Sequence, residues 1–348
     1  MPWMTKLLLQ LQAAAADRRH GLGLSLGFGP GRGRRHPQTP RHAPAAGRFS
    51  PATACLTLCL LAVAAAATTL AVALHRQSPD PAAVAGPAAS PRGFSVVINT
   101  WRRHALLRRS VAHYAACAGV EAVHVVWSEP RPPPETLRRG VLVNGTRRGT
   151  VRFEINEADS LNNRFRPIRS LGTDAVFSVD DDLIVPCSTL RFAFDVWQSA
   201  PSAMVGFVPR MHWLADPRGS TKEYRYGSWW SVWWTGTYSM VLSKASFFHR
   251  QYLDLYTNNM LPSIRKYVDE NRNCEDIAMS FLVANHSGAP PIWVQGRIFE
   301  IGSTGISSLK GHSLQRSRCL NTFAAMYGHM PLVATTVKAV DSRRSWFW

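Results

Sequence analysis

The sequence predicts an α/β domain, with a mainly parallel sheet covered on both faces, over residues 94–348. Two patterns predict it. From Phe94 onward, short runs of strand-forming residues alternate with segments whose apolar positions recur at helical spacing. One such run, Ala175 to Val179, ends on three successive carboxylates, Asp180, Asp181 and Asp182, before apolar chain resumes at Leu183. Ligands of open α/β sheets collect at the carboxyl ends of strands, where these aspartates fall. Three like charges repel there, and a divalent cation with oxygen ligands relieves them while offsetting the charge of a phosphate-bearing substrate. The plainer reading is a helix N-terminus with Ser188 as the N-cap, though caps usually show one acid rather than three.

Ahead of the domain the chain changes character. Residues 1–52 are rich in Ala, Gly, Pro and Arg and predict a disordered tail; an Arg-rich, acid-poor transit peptide has a similar composition. Thr53 to Leu74 carries no charge, and about 22 such residues suffice to span a bilayer as a helix. Arg41 and Arg48 lie before this span with no acidic residue between them, and His75 and Arg76 lie after it. The positive-inside rule therefore places the N-terminus in the cytosol and everything beyond Leu74 in the lumen. A cleaved signal peptide is the alternative, but the run is long and begins late. The predicted plan is a cytosolic tail (1–52), a transmembrane signal anchor (53–74), an Ala- and Pro-rich stem (75–93) and a lumenal domain (94–348).

The 348 residues carry 40 Lys and Arg against 22 Asp and Glu, a net charge of +18. Residues 1–50 hold a disproportionate share of the Arg, and no basic run interleaved with aromatics follows. A nucleic-acid partner is therefore set aside in favour of a nucleotide diphosphate or an anionic membrane surface.

Within the domain, Phe94 to Thr100 reads as a strand, Ala105 to Cys117 as a helix and Val123 to Trp127 as a second strand, a βαβ opening. Pro130 to Pro134 breaks the chain, and Val151 to Ile155 precedes the strand that bears the aspartates. A helix then runs through Gln198, followed by a strand at Met204 to Val208, a long aromatic loop to Thr237 and a strand at Tyr238 to Leu242. Helices follow around Phe247 to Tyr256, Asp276 to Asn285 and Leu314 to Met326. Cys117, Cys187, Cys274 and Cys319 fall on the lumenal side, where disulfides are permitted, and no cysteine spacing points to zinc. Sequons at Asn144 and Asn285 would accept glycans there, although chance sequons are frequent.

Each remaining candidate has a plain reading beside the functional one. Asn99, Arg102 and Arg103 follow the first strand, where a guanidinium can grip a diphosphate or simply sit solvated. Asp159 to Arg164, Asn163 included, concentrates amides and charges as a ligand set or as a helix cap. Glu275 and Asp276 open an apolar helix, as dipole partners or as carboxylates facing a reacting sugar. Trp229, Trp230, Trp233 and Trp234 lie between Gly227 and Gly236, which reads as a loop that stacks on sugars or meets a membrane, against the default of core.

Eight segments occur in a telling order: Asn99 to Arg103, Val125 to Trp127, Leu161 to Phe165, Val179 to Leu183, Gly206 to Arg210, Tyr238 to Leu242, Asn273 to Met279 and Leu314 to Ser317. Over nearly all of Phe94 to about Leu332 the chain resembles the exostosin-like glycosyltransferases of family 64. The resemblance implies a GT-A fold, a nucleotide-sugar donor, Mn2+ and transfer with retention at the anomeric carbon. It implies that Asn99, Arg103, Asp159 and Arg164 hold the nucleotide and its phosphates, with Asn163 and Asp181 in the same set. Asp180 would face the ribose, and Asp182, with Asp180, the metal. Arg210, Glu275 and Asp276 would line the sugar and acceptor side, Asp276 as nucleophile or stabiliser, and Arg316 would meet the diphosphate or leaving group. The resemblance further implies a Cys274–Cys319 disulfide. Glu275 and Asp159 stand where animal relatives tend to show Asp and Asn. The segment Trp233 to Met240 resembles the plant branch that mannosylates glycosyl inositol phosphorylceramide sphingolipids. That branch implies GDP-mannose, with a UDP-sugar as the alternative, a membrane sphingolipid or glycan acceptor and a single-pass type II protein of the Golgi membrane; a homodimer is compatible with the chain.

Two rivals use the same residues differently. A non-catalytic sugar-binding or chaperone protein with this fold has no need of three unrelieved charges, which the intact Asp180 to Asp182 and Arg316 argue against. A metal-dependent nucleotide hydrolase also employs clustered Asp, and its product, free sugar, distinguishes it.

Overall fold

The first strand shows how the sheet comes to be covered twice. In β1 (Phe94–Thr100), Phe94, Val96 and Ile98 join one apolar cluster and Val97 joins another, because alternate side chains leave a strand on opposite faces. Both faces being buried, six of the seven residues are buried, the polar Ser95 and Thr100 among them. The computed structural model describes residues 59–68, 93–145, 150–219, 222–302 and 311–344. Residues 59–68 are helical and lie within the predicted anchor; the rest of that span, the tail and most of the stem lie outside the described residues. Among the described residues no helix is long and apolar enough to cross a membrane. The chain from Ala85 onward forms a compact unit of its own.

In that unit β1, β2 (Val120–Trp127), β3 (Thr150–Ile155) and β4 (Ala175–Asp180) run parallel, with β1 between β2 and β4. The short pairs β5 (Leu183–Ile184) with β12 (Phe299–Glu300), and β7 (Pro209–Leu214) with β8 (Tyr224–Gly227) and β9 (Met240–Val241), lie outside the main sheet. The main sheet is completed by β6 (Val205–Gly206), β10 (Ala245–His249), β11 (Ile292–Gln295) and β13 (Lys338–Val340), in the order β13-β11-β6-β10-β4-β1-β2-β3. Its β10 is antiparallel to both β4 and β6. The fold is thus α/β with a largely parallel sheet, consistent with a GT-A architecture.

Helices α1 (His104–Ala115) and α3 (Cys187–Ser199) cover one face through Leu107, Val111, Tyr114, Leu190 and Phe194. A disulfide between Cys117 and Cys187, with Cα atoms 5.2 Å apart, ties the end of α1 to the start of α3. Helix α2 (Glu135–Gly145) follows the proline run, and a short helix, α4 (Trp229–Thr235), follows β8. Helices α5 (Pro262–Asn271), α6 (Glu275–Ser287) and α7 (His312–Tyr327) bury Ile264, Ile277, Phe281 and Phe323 against the other face.

Three local expectations are corrected. The residues taken as the start of a helix at Phe247 are strand, because Phe247 and Phe248 are both fully buried in β10 between β4 and β6, and tertiary pairing overrides the helical spacing. The long aromatic loop is a β-hairpin followed by the helix that carries the tryptophans. Helix α3 takes Pro186, not Ser188, as its N-cap residue: Pro186 is non-helical (φ −54°, ψ 139°) and the helix already begins at Cys187, which puts Ser188 inside the first turn.

Candidate active site

Two carboxylate clusters meet at the carboxyl ends of β1 and β4, joined by one buried arginine. The three aspartates do not converge. Asp181 turns inward, is fully buried, and accepts from Thr100 Oγ1 at 2.6 Å. The Arg103 guanidinium forks, with Nη2 at 2.5 Å from Asp181 Oδ1 and Nη1 at 2.6 Å from Asp182 Oδ2. Burial pushes the Asp181 carboxyl up to about 6 against the opposing pull of Thr100 and Arg103. Asp180, registered beside Asn99 of β1, pairs with Arg164; burial raises its pKa and Arg164 opposes the rise. Two arginines therefore supply part of the relief that the sequence assigns to a cation. Asp181, placed by the resemblance in the substrate-binding set, is a buried support for Arg103.

Asp180 and Asp182 are the carboxylates at the surface, each with a side chain 23% exposed. The second oxygen of each lies outside its ion pair, and two hard carboxylate donors suit Mn2+. Gly302 backs this corner. The Ile301 N–H donates to the Asp182 carbonyl at 2.7 Å, and a Cβ at Gly302 would come 2.8 Å from Asp182 Cβ. The residues present thus fit a divalent cation completed by substrate oxygens.

Arg164 is buried on the short helical turn Leu161–Phe165, which Ser160 caps by accepting from the Asn162 N–H. Its Nη1 donates to Ser243 Oγ at 3.2 Å and stands 4.0 Å from Glu275 Oε1. Glu275 and Asp276 open α6, and their charges repel. Burial and the Asp276 charge push Glu275 up to about 7. Burial opposes ionisation of Asp276 too, but its ion pair with Arg316 holds that carboxyl below the ordinary range. Arg316 reaches Asn273 Oδ1 at 3.3 Å and lies 4.9 Å from the Tyr226 ring centroid. The Cys274–Cys319 disulfide, Cα atoms 6.4 Å apart, joins α6 to α7 beside this pair. Arg272 and Cys274 have φ of 49° and 73°, so the turn that presents Asn273 is held in the left-handed region.

The other sequence-selected residues spread around this centre. Asn163 donates to Ser128 Oγ and the Ala158 carbonyl and fixes its own turn. Asp159 pairs with Arg272 at 2.8 Å, tying that turn to the end of α5. Arg210 donates to the Pro209 carbonyl within β7. Asn285 is exposed on α6; Asn144 is the last residue but one of α2, and its sequon runs outside the described residues. Sequence reasoning missed Glu129, which follows β2 and accepts from the Arg102 N–H at 2.8 Å with His104 Nε2 at 3.2 Å. A carboxylate two residues beyond a strand, level with the Asn99 segment, is the signal that could have found it. Tyr226 was missed because its contact with Arg316 joins distant segments.

The model of the glycosyl transferase family 64 domain matches residues 94–346. Glycosylinositol phosphorylceramide mannosyl transferase 1 of Arabidopsis thaliana is 58% identical over 265 residues, 74% of this chain and 79% of that protein. Exostosin-like 2 of Mus musculus is 35% identical over 252 residues, 69% of this chain and 74% of that protein. Exostosin-2 of Homo sapiens is 34% identical over 249 residues, 69% of this chain but 33% of that longer protein.

Proposed function

The chain belongs to glycosyl transferase family 64 and is a glycosyltransferase, and on that premise we propose that it moves mannose from GDP-mannose to glucuronosyl inositol phosphorylceramide, with retention, in the Golgi lumen. The observation that carries the reading is the 58% identity, over most of both chains, to a relative named as a glycosylinositol phosphorylceramide mannosyl transferase.

Asp180 and Asp182 would hold Mn2+, which supplies charge compensation for the departing diphosphate. Arg103 and Arg164, already oriented by Asp182 and Asp180, grip phosphate oxygens from the protein side. Asp276, held ionised by Arg316, stabilises the positive charge that develops at the anomeric carbon. Glu275, with a pKa near 7, passes between protonated and ionised forms at working pH and suits proton exchange with the acceptor hydroxyl. Glu129 supports a guanine base. Its Oε1 is engaged by the Arg102 N–H and His104, which leaves Oε2 as an acceptor, and guanine offers two adjacent donors to it where uracil offers one flanked by two acceptors.

The test is transfer by the full chain in membranes supplied with Mn2+, the acceptor lipid and a panel of nucleotide sugars. Mannose from GDP-mannose, arrested by chelation, is the expected product. Transfer of an N-acetylhexosamine from a UDP donor with GDP-mannose inert would overturn the donor assignment, and hydrolysis without transfer would overturn the acceptor.

A further inference from the structure

Helix α4 is seven residues long and carries four tryptophans, Trp229, Trp230, Trp233 and Trp234, exposed by 43, 70, 59 and 82%. At a turn of 100° per residue these positions fall within an arc of about 140°, while Val232, on the far side, is buried. The helix therefore has one anchoring side chain and one wide indole face. Trp213 of β7, 39% exposed, extends the face, since its ring reaches over Gly227 at the foot of the helix. An apolar face of this kind on a soluble domain signals a contact. The rings do not form a flat platform for a sugar. Trp229 and Trp233 lie nearly parallel, centroids 6.4 Å apart, and Trp230 stands edge-on to both, so the four indoles share no common plane.

The surroundings carry a small cationic excess. Arg218, Lys222 and Arg225 are exposed on the β7–β8 hairpin against two exposed carboxylates, Asp216 and Glu223, the second 3.8 Å from Arg225, and from Tyr224 through the tryptophan helix to Leu253 the chain has no carboxylate. Indoles rimmed by Lys and Arg fit a layer that is apolar on one side and anionic on the other, as the headgroup region of a bilayer is. We propose that α4 and the β7–β8 hairpin form a membrane-contact surface, the indoles seated in the headgroup layer of an anionic bilayer. The surface is connected to the chemistry. Three residues before Trp229, Tyr226 lies against Arg316, and β8 is bonded to α7 through Tyr226 N–H to Ser317 Oγ at 3.0 Å and Tyr224 N–H to Asn321 Oδ1 at 2.8 Å. A bilayer under α4 thus lies beside the Asp276–Arg316 pair, where a lipid acceptor would present its headgroup. This consequence rests on the lipid-acceptor reading; the contact itself does not.

The full chain is reconstituted into phosphatidylcholine–phosphatidylserine liposomes with and without brominated acyl chains, which quench nearby indoles. Trp230→Ala/Trp234→Ala and the single Trp234→Glu are compared with the unsubstituted chain, the latter at the most exposed position and so least able to disturb folding. We expect both variants to keep their melting temperature and lose the bromine-sensitive part of the emission. Turnover on acceptor lipid in the bilayer falls about tenfold, the cost of withdrawing roughly one buried indole, while turnover on the ceramide-free headgroup stays within about twofold. Unchanged quenching overturns the contact, as does equal loss on both acceptors, which would make α4 part of the sugar site. A variant that turns from dimer to monomer with quenching intact overturns it in favour of a second copy. The quenching uses no acceptor, so failure of the unsubstituted chain to glycosylate either acceptor strikes the acceptor reading and leaves the contact to be judged by quenching alone.

Discussion

Replacing Glu275 by Gln is expected to abolish turnover and, above pH 7, to stabilise the protein. The side chain is 14% exposed, and burial together with the Asp276 charge raises its pKa from 4.5 to about 7. A carboxyl whose folded pKa lies above its unfolded value contributes stability that is fully present below the unfolded pKa and lost as pH rises through the folded one. Between pH 4.5 and 7 the wild-type chain therefore loses about 3 kcal/mol at this one group, at roughly 1.4 kcal/mol per unit. Gln keeps the shape and does not ionise. Urea unfolding at pH 5 and pH 8 should show near-equality at the acid end and a gain of up to about 3 kcal/mol for Glu275→Gln at the alkaline end. An equal destabilisation at both pH values would show that Glu275 is held by its partners and is not in conflict with Asp276.

Asp182→Ala should abolish turnover and Mn2+-dependent donor binding while the domain stays folded, whereas Asp276→Asn should spare donor binding measured by calorimetry; equal loss in both would merge the two clusters. Because Asp276→Asn removes the ion pair of buried Arg316, it should also cost about 3 kcal/mol in urea unfolding. Opening the 45-residue Cys274–Cys319 loop by Cys319→Ala should lower stability by about 3 to 4 kcal/mol, read as a fall in the denaturation midpoint, and non-reducing peptide maps of the wild type should recover the bridge. Gly302→Ala should weaken cation-dependent donor binding and also lower the denaturation midpoint, because its Cβ would come 2.8 Å from Asp182 Cβ, the root of that side chain, and 3.3 Å from Leu106 Cδ1, so the backbone must shift.

The sheet was largely legible because burial on both faces writes long apolar runs. β1 coincides with its predicted span, and β2, β3 and β4 extend theirs by one to three residues. Legibility failed where local pattern and tertiary pairing disagree. Phe247 and Phe248 sit at helical spacing with Tyr252 and Tyr256, yet their neighbours β4 and β6 draw them into a strand. The charged residues of the site were found by type and motif, but their partners were not. Nothing local announces that Arg103 forks to Asp181 and Asp182, or that Arg164 reaches Asp180 and Glu275 together. The Cys274–Cys319 bridge followed from family resemblance, while Cys117–Cys187 joins helices whose proximity only the sheet order sets.

The charge balance of the site explains why a carboxyl with a pKa near 7 belongs there. Five carboxylates, those of Asp180, Asp181, Asp182, Glu275 and Asp276, face three guanidiniums, those of Arg103, Arg164 and Arg316. Fully ionised, the group is left with excess negative charge in a poorly solvated corner, and the proton on Glu275 is the least costly relief because Asp276 already has Arg316. A divalent cation on the Asp180 side removes the same excess, so the two reliefs compete. Arg164, within reach of both Asp180 and Glu275, couples them. Mn2+ binding at pH 6.5 should therefore release a fraction of a proton that Glu275→Gln does not release, measured as the dependence of binding heat on buffer ionisation enthalpy. Equal release by both proteins would place the exchanging proton on Asp180 or Asp181, and the coupling through Arg164 would fall.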